Sequence, residues 1–287
     1  FCIMTDQLNF TGRNPITGTE PAAMAPRFFS MLDAYDPALR QLAREGGFDQ
    51  TDDLPRLRAD LRSAYPEEWR FLSRMPTILE TEHLVFVHGG VPSLEHMDQL
   101  DRWRCMKNDD FLGQGHAFDK WVIVGHWPVT LYRPDIQSAA PILLPGRRIA
   151  SIDGGCVLKK DGQLNALILP EESSQNFTWT AWDGLPTATA LDGQLPSAAP
   201  LNIRWGRSAV EVLEEGEELS LCRHLETGRT LYILNRYLRM GPDGLWCEDS
   251  TDYRLPVAPG DKLTLVARTK TGFLCKKDGV TGWYYGR

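Results

Sequence analysis

Residues 84–92 have the sequence LVFVHGGVP, in which four apolar residues are followed by His88 and two glycines. A short apolar run that is closed by glycine or proline is typical of a buried β-strand. A histidine at the end of such a strand presents its imidazole at the rim of the sheet, while the glycines let other groups come close to the backbone. The stretch therefore predicts a strand that carries a candidate metal ligand at its end.

Two later stretches repeat this pattern, and a fourth apolar run follows them. They are WVIVGHWP at residues 121–128, IASIDGGC at residues 149–156 and ALIL at residues 166–169. Upstream, apolar residues recur at three- or four-residue steps over residues 23–45 and 54–74, which predicts helices, the second of them interrupted at Pro66. Helices come first and four strands follow with little helix between them, so the order does not favour a simple βαβ repeat.

After residue 170 the composition changes twice. Residues 171–200 are rich in Ser, Thr, Ala, Gly and Pro without a sustained period, which predicts a linker or a meandering loop. Residues 201–287 hold short alternating segments separated by glycine-containing turns, which predicts a small all-β domain. Because its strands and turns are local, we expect residues 201–287 to fold without the rest of the chain.

Charge and composition exclude several classes of protein. The chain has 287 residues, and 31 Lys and Arg against 38 Asp and Glu give a net charge of -7, which disfavours nucleic acid and anionic membranes as partners. No apolar run approaches the roughly 20 residues that cross a bilayer. The 6 cysteines include no C-x-x-C pair, so neither a structural zinc site nor a dense disulfide framework is favoured. A reducing, cytoplasmic setting fits this composition best.

The strand-end stretches, together with FLSRMP at residues 71–76 and GQLNAL at residues 162–167, resemble the C-terminal half of the calcineurin-like metallophosphoesterases. The branch of serine/threonine protein phosphatases and diadenosine tetraphosphatases is the most similar. The likeness covers residues 65–170, with the blocks in the family's order. It implies that residues 1–170 form the C-terminal part of a metallophosphoesterase domain with an α/β fold, in which two packed β-sheets are flanked by helices.

The resemblance also implies a centre of two divalent metal ions at the strand ends. His88 and His126 would both bind the second ion, and imidazole nitrogen suits manganese, iron or zinc. Two such ions polarise a phosphoryl group and activate a bridging water, which attacks phosphorus in line. The expected reaction is hydrolysis of a phosphomonoester, and the expected partner is a phosphorylated protein or a small phosphoester.

Three family motifs are missing upstream of His88. D-x-H, G-D-x-x-D-R and G-N-H-D/E do not occur in residues 1–83, and the family's catalytic histidine belongs to the last of them, so no catalytic residue is assigned. Residues 1–18 resemble the loop that follows the last motif and the chain starts at Phe1, which favours a chain cut just after that motif. Such a fragment is expected to be inactive. A pseudophosphatase that lost the motifs is the alternative.

The expected phosphate-binding element also departs from the family pattern. Residues 106–111 have the sequence MKNDDF where the branch usually carries W-x-R-x-x-F, so Asn108 stands in place of the Arg that grips the phosphate. Lys107 or Arg104 could take over this contact, although a Lys offers only a point charge in place of the bidentate Arg fork. The alternative is that residues 102–107 form a solvated basic patch.

The end of the chain is similar to an SH3-like barrel. The likeness rests on DYRLPV at residues 252–257, PGDKLTLV at residues 259–266 and GVTGWY at residues 279–284. Tyr253, Trp283 and Tyr285 could line a groove for a Pro-rich peptide, or they could fill the core and rim of the barrel.

The sequence thus predicts the C-terminal part of a cytoplasmic two-metal phosphoesterase, similar to the protein phosphatases and joined to an SH3-like domain. Two alternatives stay open. One is a hydrolase similar to the dinucleoside tetraphosphatases. The other is a non-catalytic scaffold that binds a partner through its β domain.

Overall fold

The structure is a computed structural model. It describes residue 63 and residues 66–74, 76–156 and 158–287. The chain divides into two compact units, Phe1–Thr77 and Ile78–Arg287. The helix predicted over residues 23–45 lies outside the described residues. Of the segment predicted over residues 54–74, residues 54–62, 64 and 65 also lie outside them.

In the first unit, helix α1 spans Pro66–Ser73. Residue 63 is also helical, and the described part of the chain resumes at Pro66. The pattern in the sequence predicted a helical segment interrupted at Pro66.

The second unit is organised around a five-stranded sheet with the order β1-β2-β3-β5-β4. Its strands are β1 Ile78–Glu80, β2 Leu84–Val87, β3 Trp121–Val124, β4 Ile142–Leu144 and β5 Ile149–Ser151. The central strands β2, β3 and β5 run parallel, and β1 and β4 pair antiparallel at the two edges. The strands predicted from the first three apolar runs are therefore confirmed.

Both faces of the central sheet are buried, which is usual for parallel strands and explains their continuous apolar runs. All four residues of β3 are buried. Val122 and Val124 belong to one hydrophobic core, and Trp121 and Ile123 belong to another. In the second core, the indole of Trp121 meets the ring of Phe177 edge to face, with 4.6 Å between ring centroids. Alternate residues of each strand thus stabilise opposite sides of the sheet.

Among the residues that the structure describes, five smaller antiparallel sheets complete the second unit. They are β6–β7 (Leu164–Ile168, Thr178–Trp182), β9–β15 (Asn202–Ile203, Ser250–Thr251), β10–β11–β12 (Val210–Glu214, Leu219–His224, Thr230–Leu234), β13–β14 (Leu238–Gly241, Gly244–Cys247) and β8–β16–β17–β18 (Thr187–Thr189, Lys262–Arg268, Phe273–Lys277, Val280–Tyr284). Strand β6 overlaps the strand predicted at residues 166–169, and β11, β12 and β16 lie among the short alternating segments predicted within residues 201–287. Strands β7 and β8 lie within residues 171–200, the segment predicted as a linker or loop.

The predicted α/β class is wrong, because strands dominate the described residues and no layers of helices flank their sheets. Within the described part of the chain, the α-helices are α1 and the five-residue α2 (Arg102–Met106), and strands dominate. The parallel crossover from β2 to β3 is made by α2 and short 3-10 turns, where an α/β fold has a long amphipathic helix. Neither described helix is long and apolar enough to cross a membrane.

The predicted SH3-like barrel is not closed. Strands β16, β17 and β18 belong to an open sheet whose far edge is taken by β8. The outer edge of β18 makes isolated bridges, one of which joins Val280 to Ser138. Local alternation predicted the strands, but it does not determine which strand edges meet. Here β8 pairs with β16 from outside residues 201–287, and the outer edge of β18 meets both Ser138 and Arg254.

Candidate functional site

His88 and His126 lie side by side at the ends of adjacent parallel strands. His88 follows β2 and His126 follows β3, and the N–H of Gly125 donates to the carbonyl oxygen of His88 at 2.8 Å. This hydrogen bond holds the two backbones together just beyond the strand ends. The ring centroids are 5.1 Å apart, and the ring planes are tilted by 57°. The structure therefore brings together the two residues that the sequence predicted as metal ligands.

The backbone at His126 forms a strained turn. Its φ is 66°, and the N–H of Trp127 donates to the carbonyl oxygen of Gly125 at 2.8 Å, which closes a three-residue turn. For a residue with a Cβ, this conformation costs about 1–3 kcal/mol and persists only where the surrounding structure enforces it. The turn leaves the His126 side chain only 10% exposed.

The two glycines after His88 are required by close approaches. The N–H of Gly89 donates to Cys105 O at 2.7 Å, and a Cβ at Gly89 would lie 2.7 Å from the backbone oxygen of Met106. At Gly90, φ is +134° and a Cβ would overlap the ring of Phe111. The glycines thus let the segment from Cys105 to Phe111 cross the end of β2.

Asp109 reaches His126 from this crossing segment. Its Oδ1 accepts a hydrogen bond from His126 Nε2 at 2.8 Å. The segment is anchored by the buried ring of Phe111 and by Gln114 Nε2, which donates to Asp109 O at 3.0 Å. With a proton on Nε2, the lone pair of His126 is on Nδ1, and carboxylates commonly orient metal-binding histidines in this way. Asp109 was not among the predicted site residues, although the motif at residues 106–111 contains it.

Asp153 follows β5, the third parallel strand. Its Oδ1 accepts from the N–H of Gly155 at 2.8 Å, and its carbonyl oxygen accepts from the N–H of Val129 at 2.8 Å. The sequence singled out this Asp-Gly-Gly cluster but did not assign it as a ligand. Three parallel strands thus each end in a polar side chain at the same edge of the sheet, the edge where α/β proteins also place their ligands.

The environment keeps His88 neutral. Its pKa is lowered from 6.5 to about 4, chiefly because burial penalises the imidazolium and then because His126 lies beside it. Asp153 opposes this shift, and Lys107 adds to it. Since metal ions bind the neutral imidazole, His88 is in the binding form at neutral pH.

The three predicted substrate-binding residues have different surroundings. Lys107 is exposed and lies within electrostatic reach of His88. Asn108 uses its Oδ1 to accept from Gln114 Nε2 at 2.7 Å, so it supports the crossing segment. Arg104 is exposed on α2, where its backbone N–H donates to Asp101 Oδ1 at 2.9 Å. Of the three, Lys107 is the one that acts electrostatically on His88.

The described residues fit part of the coordination shell of one ion. Imidazole nitrogens and carboxylate oxygens are donors that manganese, iron and zinc accept. However, within the described part of the chain, three donor atoms lie within 4.8 Å of one another in one group, which consists of Glu82, His83 and Glu172. This group does not include His88 or His126. The described residues therefore do not by themselves form a two-metal centre.

The Glu82, His83 and Glu172 group lies at the opposite end of β2. The N–H of His83 donates to Glu172 Oε1 at 2.8 Å, and His83 Nε2 lies 3.7 Å from Glu172 Oε2. The sequence did not reveal it, because Glu172 is 89 positions away from His83. Exposed acidic groups are common without an ion, so this group is not specific for a metal.

Two of the C-terminal aromatic residues have distinct roles. Trp283 is buried, and its Nε1–H donates to Thr251 O at 2.9 Å, so it belongs to the core. Tyr285 is exposed and stacks on Trp283, with 6.2 Å between ring centroids. Of the two roles predicted for Trp283, the structure thus supports packing in the core rather than lining a peptide groove.

No protein-family model matches the chain, and searches of the curated proteins and of the solved structures gave no match. The arrangement of His88, His126, Asp109 and Asp153 is therefore the basis on which a function is argued.

Proposed function

We propose that this chain is part of a metal-dependent phosphoesterase that hydrolyses phosphomonoesters, similar to the serine/threonine protein phosphatases, and that His88 and His126 bind one divalent ion. The observation that carries the proposal is their convergence, with 5.1 Å between ring centroids at the ends of two adjacent parallel strands. Two nearby carboxylates and a strained turn at His126 support it, because strain of this kind clusters at functional sites.

Charge also supports the proposal. His88 is neutral at physiological pH because its pKa is about 4, so a divalent ion does not compete with a proton for its lone pair. Lys107 supplies a cation that acts electrostatically on His88, which suits a doubly charged phosphate group. Hydrolysis adds the oxygen of water to phosphorus and breaks the bond between phosphorus and the ester oxygen, which leaves as an alcohol with a proton from water. A bound divalent ion would polarise the phosphoryl group for this step.

We expect the 287-residue chain to have negligible activity by itself. Its described residues offer two imidazoles of one ion's shell, and no group of three donor atoms within 4.8 Å of one another among them includes His88 or His126, so a second ion is not held beside the first. The proposal requires the missing ligands from a segment with the D-x-H, G-D-x-x-D-R and G-N-H-D/E motifs, which residues 1–83 do not contain.

Metal binding tests the proposed ligands directly. In calorimetric titrations with Mn²⁺ and Zn²⁺, His88→Ala and His126→Ala should each weaken binding by about 10-fold or more, which is at least the loss caused by changing a residue that only orients a ligand. The matched control is His96→Asn. His96 is exposed with a φ of 54°, which Asn tolerates, so this variant should bind as the parent does.

One variant separates the two candidate positions of an ion. If His83→Asn abolishes metal binding while His88→Ala leaves it intact, the ion sits in the Glu82, His83 and Glu172 group, and the proposed ligands are wrong.

Activity is tested with p-nitrophenyl phosphate and Mn²⁺. The extended chain with the three motifs should show turnover that His88→Ala lowers strongly, while the 287-residue chain stays at background. Turnover by the 287-residue chain would contradict the assignment of the missing ligands. Metal binding without turnover in the extended chain would favour a non-catalytic scaffold.

A further inference from the structure

Two tryptophans are in ring contact, and one of them is the residue after His126 in the sequence. Trp127 directly follows His126, and Trp205 lies in the turn between β9 and β10. Their ring centroids are 5.7 Å apart, and the planes cross at 75°, an edge-to-face arrangement. An edge-to-face pair leaves a face of the outer ring free to stack on a further ring.

Trp205 is held in an exposed position by a well-anchored turn. Its side chain is 63% exposed. Its backbone N–H donates to Asp249 Oδ1 at 3.2 Å, and the N–H of Arg207 donates to Arg204 O at 2.9 Å. On the far side of the turn, Arg207 O accepts from Nε2 of the buried His224 at 3.0 Å. Because the turn is fixed at several points, the indole is presented to solvent in a defined place.

The same turn is tied to the loop that carries Asp153. Asp249 Oδ2 lies 2.5 Å from Lys159 Nζ, and both side chains are nearly buried, at 10% and 13% exposed. The N–H of Lys159 donates to Gly155 O at 2.9 Å, and Gly155 in turn donates to Asp153. A chain of short contacts therefore joins Trp205 to the strand ends, so its position relative to the histidine pair is set by the fold.

The charges around the tryptophan pair suit an anionic ligand. Arg204 directly precedes Trp205, and Lys107 acts electrostatically on His88, whereas Arg207 is already paired with Glu226. Arg204 is half-buried, and its Nε donates to Leu131 O at 2.9 Å, which fixes its guanidinium near the turn. A planar apolar surface bordered by cations is complementary to an aromatic ring that carries a phosphate.

Building on the proposed function, we propose that the substrate is a phosphate ester of an aromatic ring, with the ring stacked on Trp205 and Trp127 and the phosphate at His88 and His126. In its hydrolysis, water adds to phosphorus, the bond from phosphorus to the aryl oxygen breaks, and the phenol leaves with a proton from water. The free side chain of a phosphorylated tyrosine and a small phenolic phosphate share this chemistry.

The experiment compares phenyl phosphate with n-butyl phosphate, which has a similar charge but no ring. Both are titrated calorimetrically into the 287-residue chain in the presence of Mn²⁺. The parent should prefer phenyl phosphate by about 2- to 10-fold, the range expected for one aromatic contact. Trp205→Ala should abolish this preference, and Trp205→Phe should retain part of it. The control is Leu195→Ala, which removes an apolar side chain that is 82% exposed and should leave the preference unchanged.

The outcomes separate this inference from the proposed function. Equal affinities for the two phosphates, no binding of either, or a preference that survives Trp205→Ala would overturn the inference. If His88-dependent Mn²⁺ binding persists in those cases, the proposed metal site stands. If Mn²⁺ binding does not depend on His88, both this inference and the proposed function are overturned. If a phosphotyrosine peptide binds more tightly than phenyl phosphate, the ring belongs to a protein substrate. If the two bind equally, the substrate is a small phenolic phosphate.

Discussion

The ammonium group of Lys276 lies 2.7 Å from Asp183 Oδ2, and only 3% of the Lys276 side chain is exposed. The same ammonium donates to the backbone oxygen of Asp161 at 3.0 Å. Asp161 Oδ2 accepts from Gln137 Nε2 at 2.9 Å. A buried cation on β17 thus joins segments that are more than 90 residues away, and a charge in this position is tolerated only because it is paired.

We predict that Asp183→Asn destabilises the protein more than Lys276→Met does. The first change leaves a buried cation without its carboxylate and should cost about 3 kcal/mol of the free energy of unfolding. The second removes the cation itself and leaves an Asp that is 16% exposed and can reach water, so a loss of about 1–2 kcal/mol is expected. Urea unfolding of the full chain measures both.

The double variant and a surface variant complete this test. Lys276→Met combined with Asp183→Asn should be more stable than Asp183→Asn alone, because no unpaired charge stays buried. Asp243→Asn, in an exposed turn, should change stability by less than about 0.5 kcal/mol. Equal losses for Asp183→Asn and Asp243→Asn would contradict the role assigned to the pair.

The same contacts bear on the expected independent folding of residues 201–287. Strand β8 (Thr187–Thr189) pairs with β16, and Asp183 pairs with Lys276. Both β8 and Asp183 lie before residue 201, outside the segment expected to fold alone. We therefore predict that residues 183–287 unfold at a temperature several degrees higher than residues 201–287, since about 1 kcal/mol shifts such a domain by about 4–8 °C. Equal midpoints, measured by circular dichroism, would show that these contacts add nothing.

Gly89 offers a purely steric test of the site. Its Cβ position lies 2.7 Å from the backbone oxygen of Met106, so Gly89→Ala should displace residues 105–108 and cost about 1–3 kcal/mol of stability. Metal binding should weaken as well, because His88 is the adjacent residue. Gly146→Ala is the control, since a Cβ at Gly146 meets nothing within 4 Å. Similar thermal midpoints for the two variants would refute the close approach.

His88 makes stability depend on pH. Its pKa is about 4 in the folded protein and 6.5 in an ordinary setting, so between these values the unfolded chain binds a proton that the folded protein does not. The free energy of unfolding that is linked to the titration of His88 is therefore fully present above pH 6.5 and is lost progressively as the pH falls toward 4. After allowing for solvent screening, we expect a loss of about 1 kcal/mol between pH 7 and pH 5.

Paired urea titrations at pH 7 and pH 5 isolate this effect. His88→Gln removes the titrating group, so its stability should change less over this interval than that of the parent. A change of the same size in both proteins would show that His88 is not the source.

Asp109 should act on metal affinity through His126. Asp109→Asn keeps the shape but weakens the acceptor for His126 Nε2, and loss of such an orienting carboxylate typically lowers metal affinity by about 10-fold or more. Calorimetry with Zn²⁺ measures this, with Asp98→Asn, at another exposed aspartate, as the control. Unchanged affinity in Asp109→Asn would mean that the pairing does not orient a ligand.

The strands that carry the site could be predicted from local sequence pattern. The apolar runs before His88 and His126 are buried on both sides of a parallel sheet, and such runs can be recognised from local pattern alone. The need for glycine at position 89 was also readable, because a histidine at a sheet rim with glycines beside it signals close backbone approach. These features depend on neighbouring residues in the chain.

Which distant groups meet depends on how the whole chain packs. The pairing of Asp109 with His126, the addition of β8 to β16 and the burial of Lys276 beside Asp183 each join positions 17 to 93 residues apart. Periodicity reports which side of a strand is buried, but not which edge or side chain lies opposite. An open sheet and a closed barrel have the same local alternation. The choice between them depends on the free energy of the whole packed chain, and here one free edge is taken by β8, from outside residues 201–287.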